Sequence, residues 1–453
     1  MSNTTTHLIP PLIPEYYTAS QYFYSFLQSL PNLSHLSGLV VTSHSRTAVR
    51  YHGAESLLFT VEGSLIDTFT YKSICKDIFL NARRPYPFTA IIFSSHLAML
   101  YYRLFTLLAS ARLCQSLVSS ENTDHCFPYG SAVLPKDLST PNVPLDEWKC
   151  PPSMAYGFQG FSYPLEEADC SAFSNSFESM NADFAQMKRD FGAKIVRLYY
   201  PLCLNASVFE NALKAGVANN MAVIFQVWTD FGQSDDWKKS QQAIYDVLGS
   251  PKFGPIAPYV VHSIDFGSEP VTDGMDGINE DGGKQFIKDL GLLRKKANGY
   301  GIPAGISEEW DRPGDMSSQD GTHLGDIGIG VKANSDYCHA HIMPYYRSGI
   351  ELSESWAYIQ EQIEWINNSV QLPTMITETQ WAWGQNEGHS VDKSDLTVEG
   401  YNQYWDKFDE ECELFKRYQV GWFIHTWRGE STFDILYPNN GSYVIPNWQP
   451  RTC

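Results

Sequence analysis

From Ala155 onward, short apolar runs alternate with longer stretches of helical period. The runs are Tyr156–Tyr163, Lys194–Tyr200, Met221–Trp228 and Val260–Glu269, then Ile302–Glu308, Tyr337–Tyr345, Pro373–Glu378 and Val420–Trp427. Between them, Phe177–Phe191, Ala206–Asn219, Ser234–Leu248, Gly283–Asn298, Ser353–Asn367 and Gly400–Arg417 repeat apolar residues at helical intervals. Eight strands with intervening helices in about 280 residues predict an α/β fold, a (β/α)8 TIM barrel. An open doubly wound sheet is the alternative, but no Gly-rich phosphate loop follows the first strand.

In such a barrel the C-terminal strand ends share one rim, where reactive side chains gather. Glu269 ends the fourth strand, where Pro270 stops its extension, and Glu378 ends the seventh. A single strand-end glutamate is usually a solvated loop residue. Two on separate strands are the minimum equipment for cleaving a glycosidic bond. Aromatic and polar residues join them at the predicted rim: Trp228 and Asp230 after the third strand, and Glu308, Glu309 and Trp310 after the fifth. Tyr345 and Tyr346 follow the sixth strand, Trp381 the seventh and Trp427 the eighth.

Composition changes this picture little. Aromatic residues make up 14% of the chain, with 12 Trp and 26 Tyr, which suits stacking on sugar rings and filling a core alike. A formal charge of −19 excludes a general nucleic-acid binder, since phosphates would be repelled over most of the surface. With eight basic and five acidic residues, positions 1–120 carry +3, leaving −22 for the remainder. Of nine cysteines, Cys150, Cys170, Cys203, Cys338, Cys412 and Cys453 are dispersed after residue 149 without a C-x-x-C pair. That fits disulfides in a secreted protein better than a zinc site. Asn205, Asn367 and Asn440 each begin an N-glycosylation triplet, in agreement with secretion.

Residues 1–98 make an irregular N-terminal extension, or the product of a start placed upstream of the true one at Met99, and Met1 to about Pro87 carries no sustained period, repeat or chemical motif. Two readings apply to Ala90–Ser120. As a spanning helix it is interrupted by Arg103 and Arg112. As a signal peptide read from Met99, residues 99–120 have a basic start, a short apolar core and small-residue cleavage sites. Residues 121–152 are Pro-rich and polar, a predicted linker, and residues 153–453 make the barrel.

Four segments then carry a family likeness: Ile195-Val-Arg-Leu-Tyr199, Ser268-Glu-Pro270, His341-Ile-Met-Pro-Tyr-Tyr346 and Thr377-Glu-Thr-Gln-Trp381. In that order they resemble glycoside hydrolase family 17, β-1,3-glucanases and glucanosyltransferases, and among these the fungal, wall-directed members. The resemblance implies a retaining mechanism with Glu269 as acid/base and Glu378 as nucleophile. It also implies a polysaccharide or oligosaccharide partner, no cofactor, a monomer, and a secreted or wall-associated location. Tyr345, or Tyr346, would orient Glu378, while Ser268, Trp228, Asp230, Trp310, Trp381 and Trp427 would line the sugar site. Two departures stand out. Ser268 replaces the Asn that usually precedes the acid/base Glu, and Gln380 and Ala382 replace the Gly and Pro of Thr-Glu-Thr-Gly-Trp-Pro.

Two rivals remain at this level. His339 and His341 on one strand, with His262 and His425 on others, pattern a metal hydrolase, although barrel metal sites use His-x-His on the first strand. A sugar-binding protein on a degenerate barrel is the other, kept open by Ser268 and Gln380.

Overall fold

The computed structural model describes residues 133–453, except 149, 151–154, 230–234, 273–280, 282, 348, 386–394 and 452. The described residues all belong to one compact unit, residues 115–453. The N-terminal extension, the signal-like segment and Asp230 lie outside the described residues.

Eight parallel strands close into a barrel in sequence order. They are β1 (Gly157–Pro164), β2 (Ile195–Tyr199), β3 (Ala222–Gln226), β4 (Val261–Ser268), β5 (Ala304–Glu308), β6 (Cys338–His341), β7 (Thr374–Glu378) and β8 (Val420–Ile424). The ring closes where β1 pairs β8, with Gly157 opposite Gly421. The open-sheet alternative is thereby excluded.

The helices, in chain order, are α1 (Leu145–Trp148), α2 (Phe177–Phe191), α3 (Ala206–Asn219), α4 (Asp236–Gly249) and α5 (Ala257–Val260). After β4 come α6 (Lys284–Gly299), α7 (Asp326–Ala333), α8 (Leu352–Ser369), α9 (Val398–Glu410) and α10 (Cys412–Tyr418). Their ends follow local chemistry. Ser176 caps α2 by accepting from Ser179 N, and Gly192 closes it in the left-handed region at φ 67°. Two features differ from the sequence expectation. The stretch Gly400–Arg417 is two helices, α9 and α10, split at Glu411. The helix α7 was not anticipated, because its Asp-Ile-Gly-Ile-Gly-Val sequence reads as a loop. Its glycines serve packing: a Cβ on Gly328 would sit 2.1 Å from Met316 O.

The predicted linker has a docked part. Leu134 and Trp148 are buried, Leu134 N donates to Asn220 Oδ1 at 2.8 Å, and Trp148 Nε1 donates to Tyr259 O at 2.8 Å. Cys170–Cys203 and Cys412–Cys453 are disulfides, and Cys150 is disulfide-bonded as well. Cys338 departs from the expected pattern as a free, buried thiol on β6. Among the described residues no helix is long and apolar enough to cross a membrane.

Outside the strands the core is apolar, whereas inside the ring it is polar. Ser162, Arg197, Asp265, Ser307, His339, His341 and Thr377 are all buried. Alternation explains how β2 delivers its charge: in Ile195-Val-Arg-Leu-Tyr199 every second residue shares a face, and Arg197 lies 5.4 Å from the Tyr199 ring. Burying these groups is tolerable only because each finds partners.

Candidate active site

Glu378 ends β7 and Glu269 follows β4, so strand geometry brings both to the C-terminal rim. At Glu269 the chain bends sharply. Gly267 sits at φ 99°, and a Cβ there would be 2.5 Å from Thr229 Oγ1. Glu269 itself takes φ 49°, a left-handed conformation that costs a non-glycine residue about 1–3 kcal/mol. Its N–H donates to Ser307 O at 2.8 Å, which keeps the bent strand end attached to β5.

Arg197 organises the floor between the two carboxylates. Nη1 donates to Glu378 Oε1 at 2.6 Å and to Ser162 Oγ at 3.3 Å. Nη2 donates to Ser268 Oγ and Ser307 Oγ, each at 3.0 Å. Ser268 Oγ in turn donates to Glu378 Oε1 at 3.0 Å. The serine at the departure position therefore braces Glu378 directly.

His341 stands between the two acids. Its Nδ1 lies 2.8 Å from Glu269 Oε1, and its Nε2 lies 2.6 Å from Ser307 Oγ and 3.4 Å from Glu378 Oε1. Oxygen atoms of Glu269 and Glu378 and a nitrogen of His341 all fall within 4.8 Å of one another.

The electrostatics follow from this packing. Burial pulls the Glu378 carboxyl up, but His341 and Arg197 outweigh it and hold the group well below the ordinary carboxylate range. Burial lowers His341, and the charge of Glu378 with the hydrogen bond to Glu269 more than restores it, so its proton is held more tightly than usual. His425, on the segment after β8, is pushed down to about 4 by burial and stands neutral at pH 7. Glu430, farther along that segment, accepts from Tyr199 OH at 2.7 Å; burial first, with Glu378 contributing, raises it to about 7.

The aromatic residues divide. Trp310, Trp381 and Trp427, expected against sugar, are fully buried. Trp310 Nε1 donates to His339 O at 3.1 Å, Trp381 stacks on Tyr404, and Trp427 packs edge-on to Phe161. Tyr345 is also buried, against Tyr346, Trp381 and Phe433. These four lie in the core. Tyr346 is 37% exposed, with its hydroxyl 3.0 Å from Gln380 Nε2, and Trp228 is half-buried edge-on to Tyr200. Gln380 is thus used in holding Tyr346.

The His-x-His pair of the rival metal reading does not act as a unit. His339 lies deeper in the barrel against Asp265, 2.9 Å away, while His341 faces Glu269. Glu269, His341 and Glu378 do offer clustered ligand atoms, but the Arg197 guanidinium at 2.6 Å opposes a cation on Glu378. A cavity of about 340 Å³ exists at the opposite, N-terminal end, lined by Trp148, Val261, Tyr337 and Met375 among others. It is remote from both glutamates.

Arg197, Ser307 and Thr377 were not among the anticipated site residues, and His341 entered only through the family likeness and the rival metal reading. A charged residue in the middle of the apolar run Ile195–Tyr199 was the available signal for Arg197. Nothing in the local sequence marks Ser307 or Thr377, whose hydroxyls lie 2.8 Å apart.

The architecture and this rim define a parallel (β/α)8 barrel with a paired-carboxylate mouth. No family model matches the chain, and no curated protein matches it. Among solved structures, it is similar to a GH2 β-galacturonidase from Eisenbergiella tayi, with 14% identity and a TM-score of 0.40 over 60% of this chain and 43% of that one. It is also similar to a β-D-glucuronidase of Dictyoglomus thermophilum, with 15% identity and a TM-score of 0.42 over 65% and 49%. A third, an FMN-binding β-glucuronidase from Facaelibacterium prausnitzii, has 13% identity and a TM-score of 0.43 over 69% and 44%. The chain thus spans less than half the length of each of these structures. Similarity at this level bears on nothing beyond the barrel.

Proposed function

We propose that this chain is a retaining glycoside hydrolase acting on β-glucan, most specifically β-1,3-linked glucan of the cell wall. The observation that carries the reading is the approach of Glu269 and Glu378, whose carboxylate oxygens come within 4.8 Å. Retaining enzymes keep their carboxyl groups about 5–5.5 Å apart, and inverting ones about 6.5–9.5 Å to admit a water. Glu378, held ionised by Arg197 and His341, attacks the anomeric carbon. Glu269 gives its proton to the departing glycosidic oxygen as that bond breaks. Oε1 of Glu269 is engaged by His341, which leaves Oε2 to carry the proton. Esterification removes the charge of Glu378, and Glu269, now ionised, takes a proton from water as the water attacks the glycosyl ester. Hydrolysis frees Glu378 and returns the proton to Glu269.

The likeness of the Glu269 and Glu378 segments to family 17 supports the β-1,3-glucan assignment. Ser268 braces the nucleophile in the position where that family carries Asn, so contact with the sugar 2-hydroxyl falls to other groups. Secretion is supported by the disulfides, which persist in oxidising compartments, and by the exposure of Asn205, Asn367 and Asn440.

The test incubates the protein with a linear β-1,3-glucan and follows products and the first-formed anomer by NMR. Shorter oligosaccharides of β configuration are expected. Longer products assign the same site to glucanosyl transfer. Initial α-anomer overturns retention, and tight binding without products moves the chain to the binding-only class.

A further inference from the structure

A third glutamate at the rim is buried more deeply than either reacting one. Glu308, the last residue of β5, has no solvent exposure, yet four donors converge on it. Val271 N donates to Oε2 at 2.8 Å and Thr272 N donates there at 3.3 Å. Thr272 Oγ1 lies 2.6 Å from Oε1, and Glu309 N donates to that oxygen at 2.8 Å. Three of the four come from the turn immediately after Glu269-Pro270.

We propose that Glu308 is a positioning residue for the proton donor: its carboxyl group clamps the Val271–Thr272 turn and so fixes the backbone and side chain of Glu269. The proposal rests on the reading of Glu269 as acid/base. The last two residues of β5 hold this bend from both sides. Ser307 O accepts from Glu269 N, and Glu308 takes the two residues beyond Pro270. A left-handed glutamate persists only where its surroundings over-determine it, and these bonds do so. A buried carboxyl group is a costly way to hold a turn, since its burial is unfavourable unless its polar atoms are hydrogen-bonded. Its charged neighbours are Glu269 and His341, while the adjacent Glu309 is neutralised by Arg312 and Arg347, each at 3.0 Å. Burial first, then Glu269, push Glu308 up to about 8, against the pull of Thr272 and Val271.

A misplaced donor harms only the step that needs its proton, which separates positioning from folding. The experiment measures kcat/KM, which reports attack by Glu378, on two substrates. One is an unactivated β-1,3-gluco-oligosaccharide; the other is its aryl glycoside with a 2,4-dinitrophenolate leaving group, which departs without protonation. In Glu308→Gln, and in the milder Thr272→Val, the oligosaccharide should lose about 100-fold and the aryl glycoside under about 5-fold. Equal losses on both substrates, or full activity on both, overturn the proposal. Amide exchange supplies a readout independent of turnover. In Glu308→Gln, exchange at Val271 and Thr272 should rise at least ~10-fold while that of Ile264 stays unchanged. Unaltered protection overturns the clamp. A wild-type chain inert on both substrates overturns the hydrolase reading instead, and the exchange result still decides the clamp.

Discussion

Replacing Arg197 with Met tests whether one buried cation keeps Glu378 ionised. The guanidinium is fully buried, and its Nη1 lies 2.6 Å from Glu378 Oε1. With charge centres about 4 Å apart and an effective dielectric of about 20, the pair is worth about 4 kcal/mol. That corresponds to about 3 pH units in the protonation of Glu378. The direction follows from linkage. The Glu378 carboxyl is depressed in the folded protein, so the stability it lends is present above its ordinary value of 4.5 and is lost as pH falls through the folded value. Without Arg197, His341 opposes burial alone and the carboxyl climbs. The assay is kcat/KM on β-1,3-glucan between about pH 3 and pH 8, with thermal unfolding in parallel. In Arg197→Met the acid limb should move up by about 3 pH units, and the loss of a buried partner should cost about 3–5 kcal/mol, or about 10 °C in Tm. Arg197→Lys keeps the charge without the fork, so its limb should stay low while kcat falls. An acid limb in Arg197→Met that coincides with the wild type refutes the reasoning.

Glu378→Gln should reduce glucan cleavage by at least ~1,000-fold at unchanged fold, because an amide forms no glycosyl ester; residual activity within 10-fold of wild type removes Glu378 as nucleophile. Trp381→Ala should lower stability by about 3–5 kcal/mol through a core cavity, whereas Tyr346→Ala, at an exposed position, should raise KM and leave Tm nearly unchanged; denaturant titration with Michaelis kinetics distinguishes them. Burial raises Glu308 to about 8, Asp409 and Glu430 to about 7, and Asp311 and Asp434 to about 6. The folded chain therefore holds protons that the unfolded chain releases, and Tm should fall as pH rises from about 4 to about 8; a Tm that climbs over this window contradicts the assignment. Removing Cys170–Cys203 by double Ser substitution should cost about 3–4 kcal/mol for a closed loop of 33 residues, read by denaturant unfolding.

The barrel was legible in the sequence because eight apolar runs and their helical partners carry two distinct periods, and period is a local property. So were the positions of Glu269 and Glu378, since a strand end maps to a rim once the barrel is accepted. The helix at Asp326–Ala333 was not, because its glycines disfavour a helix in isolation and are repaid only by close packing on Met316 and Ile287. The tryptophans misled for a related reason. Trp310, Trp381 and Trp427 do lie near strand ends, but burial depends on which neighbouring elements cover each ring.

Ser268 shows the division most clearly. By itself the sequence determined that a hydroxyl replaces the amide before Glu269, and that two carboxylates end two strands. Only the tertiary structure decided what that hydroxyl does. Arg197 from β2, Ser268 from β4 and Glu378 from β7 meet at distances of 2.6 and 3.0 Å, though they are separated by 71 and 110 residues along the chain. His341 from β6 completes the link to Glu269. Charge and hydrogen bonding act through space and weaken with distance, so protonation is set by partners that barrel closure supplies and that chain order does not reveal.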